Sequence, residues 1–481
     1  MNSHPQPHFL RTLGFQSFLW TQFLGALNDN LFKYIVAYLA ATLVGDANMP
    51  LAGAIFILPF LLFSGYAGHA ADRYSKRNVL IVTKSLEIVS MALALFSFWL
   101  GNIHLALGVL FLMALQSTLF SPAKYGILPE MLPEKDLSDA NGWLEMTTFL
   151  AIILGSALSG VMYEHWEQNL SIIGYILLAI AILGTLASLG ITRVPPSGAT
   201  PTFQINPWHE IGFGIRRLYG IKALWRTVIG ITYFWFLGAV IQMLIYPLGT
   251  QDLLVGKQEI GYLMMFLSIG IGIGSLAAGR LSGERVELGL IPFGSIGMGL
   301  FSIALAMVTH SFYASSTLLI LIGFSGGFFI VPLNAYLQKA SGTEEKGRLI
   351  AACNFINMVG VLMASLVYWV FINLLGCSTG LTVAILGIFT LGVTVYIARL
   401  LPYAVVRILL SVLTHSLFKI NVIGRENIPS SGSMLLVSNH MSFADGCLVG
   451  ASVPRYMRFL VYKAFFEMKG IRWLLSWLDA I

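Results

Sequence analysis

Gly68-His69-Ala70-Ala71-Asp72-Arg73-Tyr74-Ser75-Lys76-Arg77 is a charged island between two apolar runs, near 51–70 and 79–100. Each run is long enough to cross about 30 Å of hydrocarbon as a helix. Working outward, further runs lie near 15–43, 103–121, 143–163 and 171–192, and six more near 226–248, 260–279, 287–308, 313–336, 349–373 and 381–400. The connections alternate in charge. One set carries Arg73, Lys76 and Arg77; Lys124 and Lys135; Arg193, Arg216, Arg217 and Lys222; Arg280 and Arg285; and Lys339, Lys346 and Arg348. The other set is almost free of basic residues, Lys257 excepted. Because Lys and Arg accumulate in cytoplasmic loops, the pattern predicts an all-α membrane protein of twelve spans with both termini in the cytoplasm.

Composition agrees: 57% of the 481 residues are apolar and 10% charged, with a mean hydropathy of +0.80, against about 25% charged in ordinary soluble domains. A net charge of +6 and a pI near 9.1 would suit a nucleic-acid binder, but the basic residues sit in one set of loops, so no nucleic-acid partner is expected. Cys353, Cys377 and Cys447 are scattered, which predicts neither a disulfide framework nor a metal site. The polar first ten residues lack the pattern of a cleavable signal peptide, so the first span is expected to serve as an uncleaved insertion signal.

The chain repeats itself. Phe23-Leu24-Gly25-Ala26 recurs as Phe236-Leu237-Gly238-Ala239, and Asn141 matches Asn354 at the same spacing. Ser121-Pro122 at the expected end of span four parallels Val331-Pro332 in span ten, and Gly279-Arg280-Leu281-Ser282-Gly283-Glu284-Arg285 is a degraded copy of the opening island. An even number of spans per half gives two six-helix halves in the same orientation, over 1–192 and 226–400. The Pro- and Gly-containing stretch 193–225 reads as a cytoplasmic linker with a short amphipathic segment, and 401–420 as an interfacial helix. Residues 421–481 have a soluble composition and open an α/β domain, with a strand at Met434–Val437 leading into a polar loop.

Within the spans, Asn28-Asp29-Asn30-Leu31-Phe32-Lys33 stands out. At 1.5 Å per residue Asp29 lies roughly 20 Å into a span starting near Gln16, close to mid-bilayer. Lys33, four residues on, shares its face. The pair reads either as a buried ion pair between helices or as the polar lining of a pathway for a charged or zwitterionic substrate. The matching stretch of the second half, with Gln242, is uncharged, so the pathway is expected to be asymmetric in charge, as suits an amphiphile. Gln116, Lys124 and Tyr125 toward the end of span four, and Asn141 and Glu145 at the start of span five, read as interfacial caps and snorkelling groups or as further lining; for Lys124 a headgroup phosphate is a natural partner. Lys84 and Glu87, three apart, read as a structural pair.

Gly68-x-x-x-Asp72-Arg73-x-Ser75-Lys76-Arg77 resembles the signature of the major facilitator superfamily, with serine where that family usually has glycine. The resemblance implies a twelve-helix bundle working by alternating access, in which Gly68, Asp72, Arg73, Lys76, Arg77 and the counterpart Arg280 gate the conformational change without touching substrate. Ser438-Asn439-His440-Met441-Ser442-Phe443-Ala444-Asp445-Gly446 resembles the first motif of glycerolipid acyltransferases. There the imidazole, as His440, takes a proton from a glycerol hydroxyl attacking an acyl thioester, and the carboxylate, as Asp445, supports the imidazolium. A solvated loop histidine beside a capping aspartate is the plainer alternative, against which stand the preceding apolar stretch and Gly424-Arg425-Glu426-Asn427-Ile428-Pro429. The later arginine and phosphate-binding motifs of such enzymes are not found before Ile481, so the domain is expected to be incomplete and inactive as it stands.

Together, the two resemble the bacterial lysophospholipid transporter family fused to an acyltransferase; the Phe-Leu-Gly-Ala-Leu-Asn-Asp-Asn opening of span one is typical of it. The resemblance implies inward movement of lysophosphatidylethanolamine-class lipids across the inner membrane and re-acylation from acyl carrier protein or coenzyme A thioesters, with no bound cofactor. A proton-coupled drug or small-solute antiporter using Asp29 as proton carrier is the alternative, and a membrane-anchored acyltransferase with the bundle as scaffold is a second.

Overall fold

The computed structural model describes residues 8–44, 49–200, 204–283 and 285–402, and shorter stretches between 406 and 475. The first half comprises α1 (Leu13–Val44), α2 (Met49–Arg73), α3 (Lys76–Trp99), α4 (Ile103–Met131), α5 (Leu137–Trp166) and α6 (Leu170–Leu189). The linker carries α7 (Pro207–Gly220). The second half comprises α8 (Lys222–Pro247), α9 (Lys257–Ser282), α10 (Leu290–Met307), α11 (Phe312–Ala340), α12 (Lys346–Tyr368) and α13 (Thr379–Leu400). Ten helical stretches among the described residues are long and apolar enough to cross a membrane. One of them, Glu134–Leu189, holds both α5 and α6, and α1, diluted by its Asn-Asp-Asn cluster, packs among α2, α4, α5 and α6. Twelve spans result.

The helices overrun the expected apolar segments; α4, for example, continues to Met131. Pro122 and Pro332 lie inside α4 and α11 and do not end them; within a bundle, neighbouring helices and local adjustment re-satisfy the backbone groups that a proline frees. Each half packs its own apolar core, one around Phe32, Met91 and Leu110 and the other around Phe234, Leu267 and Phe329. The halves meet along two seams, α2 on α12 and α5 on α9. At the first, a Cβ on Gly68 would lie 2.8 Å from Arg348 Cα, so only glycine permits this approach.

The linker helix begins with Pro207 at its first turn, and Asn206 caps it by accepting the Trp208 amide at 3.0 Å. It lies against both α2 and α12. The interfacial helix expected over 401–420 falls almost wholly outside the described residues. Met434–Val437 is neither helix nor strand, and no strand occurs among the described residues. Leu435 and Val437 are exposed, and a strand forms only where a neighbouring strand pairs its backbone.

Candidate functional site

A cavity of about 360 Å³ lies between the halves, walled by α1, α2, α3, α4 and α5 on one side and α8, α11 and α12 on the other. Asp29, Asn30, Lys33, Gln116, Lys124, Tyr125 and Gln242 line it. Asn28 and Glu145 sit one layer behind, fully or almost fully buried. All its charged lining residues, Asp29, Lys33, Lys84, Glu87 and Lys124, come from the first half, whereas the second half contributes Trp235, Gln242, Asn334, Gln338, Asn354 and Asn357 among uncharged groups.

Of the two readings of the Asp29 cluster, the Asp29–Lys33 ion pair is not made, whereas both residues line the cavity. Asp29 Oδ2 accepts the Ser117 hydroxyl from α4 at 2.5 Å, and its Oδ1 has no hydrogen-bond partner among the described residues. Lys33 Nζ donates to Asn30 Oδ1 at 3.0 Å and lies over the rings of Tyr34 and Phe56 at 4.7 and 5.3 Å. Local partners one turn below and an aromatic cage hold the ammonium where attraction across four residues would otherwise have drawn it. Lys84 and Glu87 do pair, both fully buried, with Asn28 Nδ2 donating to Glu87 Oε1 at 2.8 Å and Gln116 Nε2 to its Oε2 at 3.5 Å. Space for the Lys84 ammonium exists because Gly25 and Gly184 face it; a Cβ on Gly184 would approach Nζ to 2.8 Å. Lys124 Nζ donates to Thr148 Oγ1 at 3.0 Å and has no carboxylate within 4.0 Å among the described residues. Glu145 Oε1 accepts from Tyr125 at 3.1 Å and from Asn334 of the other half at 2.9 Å.

From the floor of this cavity on toward the basic loops, the halves are tied together. Asn141 on α5 and Gln338 on α11 exchange amide hydrogen bonds at 2.8 Å each. Asn354 on α12 donates to Ser121 on α4 at 2.9 Å, so the two asparagines matched by the repeat make matching contacts across the seam. Asp72 caps α12: Oδ1 accepts the Gly347 amide at 2.5 Å, and Oδ2 accepts both the amide and Nε of Arg348 at 3.1 Å, satisfying first-turn donors at the positive end of the helix. Arg348 also lies over the Phe213 ring of α7 at 4.3 Å, with Glu210 3.8 Å from its Nη1. Arg217–Glu345 at 2.8 Å and Lys339–Glu134 lie at the same end.

The other gating candidates divide. Lys76 is buried and paired with Glu130 of α4. Arg77 Nε and Nη2 donate to the Ile191 and Leu189 carbonyls at 2.8 Å, closing the end of α6. Arg73 and Arg280 are exposed; Arg73 makes no hydrogen bond or ion pair to the other half among the described residues, whereas Arg280 on α9 acts electrostatically on Asp139 of α5 across the seam. Ser75 has φ −55°, an ordinary conformation for any residue, and its hydroxyl donates to the Val194 carbonyl at 2.7 Å, which explains why serine serves where glycine is usual.

The family profile described as Major Facilitator Superfamily matches residues 18–365. The chain belongs to the major facilitator superfamily. A profile described as Acyltransferase matches residues 419–481. The chain is 30% identical to a protein named lysophospholipid transporter LplT from Enterobacter sp. (strain 638), covering 78% of this chain and 92% of the relative. A protein of the same name from Photorhabdus laumondii is 30% identical, over 76% of this chain and 89% of the relative. Among solved structures, a bacterial homologue of the iron transporter ferroportin has the same fold, with a TM-score of 0.63, 13% identity and coverage of 80% of this chain and 98% of that one. The human organic anion transporter MFSD10 aligns with a TM-score of 0.62 at 12% identity, over 81% of this chain and all of that one.

His440 lies outside the described residues. Asp445 opens the helix Asp445–Ser452, and its Oδ2 accepts the Met441 amide at 2.6 Å. Sequence reasoning overlooked the clasping role of Asn141, Gln338, Asn354 and Ser121, for which the matched pair Asn141/Asn354 was the available signal.

Proposed function

We propose that this protein moves lysophospholipids of the phosphatidylethanolamine class inward across the bacterial inner membrane by alternating access, and delivers them to its acyltransferase domain. The observation that supports the reading is the one-sided cavity: two cationic side chains without ion-pair partners among the described residues, Lys33 and Lys124, and the Oδ1 of Asp29, unpaired among them, lie opposite uncharged polar and aromatic groups of the other half. A zwitterionic headgroup offers a phosphate to the ammonium groups and an ammonium to the carboxylate. A single acyl chain suits the apolar part of the wall, where Phe56, Phe60, Phe149 and Trp235 stand. The names of the similar transporters from Enterobacter and Photorhabdus support the same substrate.

In this reading the clasped end is cytoplasmic, which the bias of Lys and Arg toward cytoplasmic loops supports, and this conformation is the one closed to the inside. Lipid enters from the outer leaflet, and the Asp72, Asn141 and Asn354 clasps open to release it inward. Both termini are then cytoplasmic, and the acyltransferase domain sits on the side of release, with His440 and Asp445 as its general base and supporting carboxylate. Acyl carrier protein or coenzyme A thioester is the acyl donor in this reading.

Vesicles containing the chain should translocate labelled lysophosphatidylethanolamine but not the diacyl lipid, and Asp29→Asn should slow this at least tenfold. Equal rates for the two lipids, or none for either, would overturn the proposal.

A further inference from the structure

A second hollow, of about 740 Å³, opens on the outer surface of the first half beside the motif loop, at the ends of α2, α3 and α6. Its size is within the roughly 300–1,000 Å³ of small-molecule sites. Arg73, Arg77 and Arg193 line it, and no carboxylate does. Arg73 closes α2, Arg77 stands at the second position of α3, and Arg193 follows the end of α6, so the three guanidinium groups share one level at the rim of the bilayer. No ion-pair partner for any of them occurs among the described residues.

From that level the hollow runs along α3. Val82 and Leu86 lie about 9 and about 15 Å from the helix start at 1.5 Å per residue, and they are 58% and 44% exposed although they belong to a span. Such side chains face hydrocarbon. Leu119 of α4 and Pro196 complete the apolar part. A cationic rim at headgroup depth that continues into an apolar, lipid-facing trough has the shape and polarity of a phospholipid.

We propose that this hollow binds one anionic glycerophospholipid of the leaflet at the basic end, its phosphate among Arg73, Arg77 and Arg193 and one acyl chain along Val82 and Leu86. Charge selects the occupant. A phosphatidylethanolamine ammonium would find no carboxylate here and would stand against three guanidinium groups, whereas a phosphoglycerol headgroup brings only negative charge. The site is distinct from the cavity between the halves. It abuts Tyr74 and Ser75 of the motif loop and Val194, the acceptor of the Ser75 hydroxyl, so occupancy braces the turn that presents Asp72 to α12.

The test is native mass spectrometry of the purified full chain, offered equal amounts of phosphatidylglycerol and phosphatidylethanolamine of the same acyl composition. Phosphatidylglycerol should be retained in preference. Arg193→Gln should weaken its retention about fivefold, the effect of one arginine near the surface, Arg193→Lys should restore most of it, and Val82→Trp should weaken it by blocking the trough. Both positions are exposed, and an unchanged thermal midpoint verifies that each variant is folded. Equal retention of the two lipids, or retention unmoved by both Arg193→Gln and Val82→Trp, would overturn the proposal. So would displacement of the lipid by millimolar inorganic phosphate, which would show an anion subsite that makes no use of the trough. The readout is lipid retention and not transport, so it stands or falls independently of the substrate assigned to the central cavity.

Discussion

Two lysines of the central cavity illustrate how differently one residue type behaves in one place. Lys84 is fully buried against Glu87, and replacing it by glutamine leaves a buried carboxylate without its counter-charge, a loss of about 3–5 kcal/mol in such pairs. Lys84→Gln should therefore lower the thermal midpoint sharply or prevent folding. Lys33 is partly exposed, over two aromatic rings. Lys33→Gln should leave the midpoint within a few degrees of the parent while lysolipid transport falls several-fold, measured on the same preparations. At Ser75 the family pattern would suggest that glycine is an improvement, but the backbone there does not need it and the hydroxyl bond to Val194 would be lost. Ser75→Gly should cost about 1 kcal/mol, the worth of a typical hydrogen bond, read as a lowered midpoint. Residue types and their positions along helices were legible in the sequence. Partners were not: Asp29 and Lys33 are neighbours on one helix face, yet each found a better contact, because a third helix supplied Ser117 and a second supplied the Phe56 ring.

Helix pairs tie the two halves together at the basic end. The α2–α12 seam depends on Gly68 and Gly347, since a Cβ on Gly347 would lie 2.7 Å from Asp72 Oδ1 and 2.8 Å from the Gly68 carbonyl. Gly347→Val should force the helices apart at the basic end and break the cap that Asp72 places on α12. Asp72→Asn keeps the shape but removes the charge, weakening the clasp by about 1.5–3 kcal/mol, the range for hydrogen bonds to charged groups. In both variants, spin labels at the exposed positions 74 and 342 should show a longer and broader distance distribution than in the parent; an unchanged distribution would exclude the clasp role. The internal repeat allowed Asn141 and Asn354 to be matched in advance. That both bridge the halves, one to Gln338 and the other to Ser121, was not readable, because a repeat aligns each helix with its counterpart and not with the helix it faces.

At the scale of the whole molecule, the ties named above gather at the basic end, from the floor of the cavity outward. Cysteines replacing Glu134 and Lys339, which pair across the halves, should trap this state when joined by a short reducible crosslinker in a background without the native cysteines. Labelled lysolipid should still bind to the trapped protein, but inward release should stop until the link is reduced. The number of spans, their alternating loop charge and the duplication follow from the sequence alone, since burial in hydrocarbon requires long apolar helices and charge bias is written residue by residue along the chain. The resemblance of the opening island to a family signature implied a gating role for this turn. The uncharged stretch around Gln242 had also pointed to a charge-asymmetric pathway, but only the tertiary structure decided what Gly68-His69-Ala70-Ala71-Asp72 meets there and which charges face the cavity. Those are properties of distances between helices remote in the chain, set by packing of glycine against backbone and by which buried donor reaches which acceptor, and no local pattern encodes them.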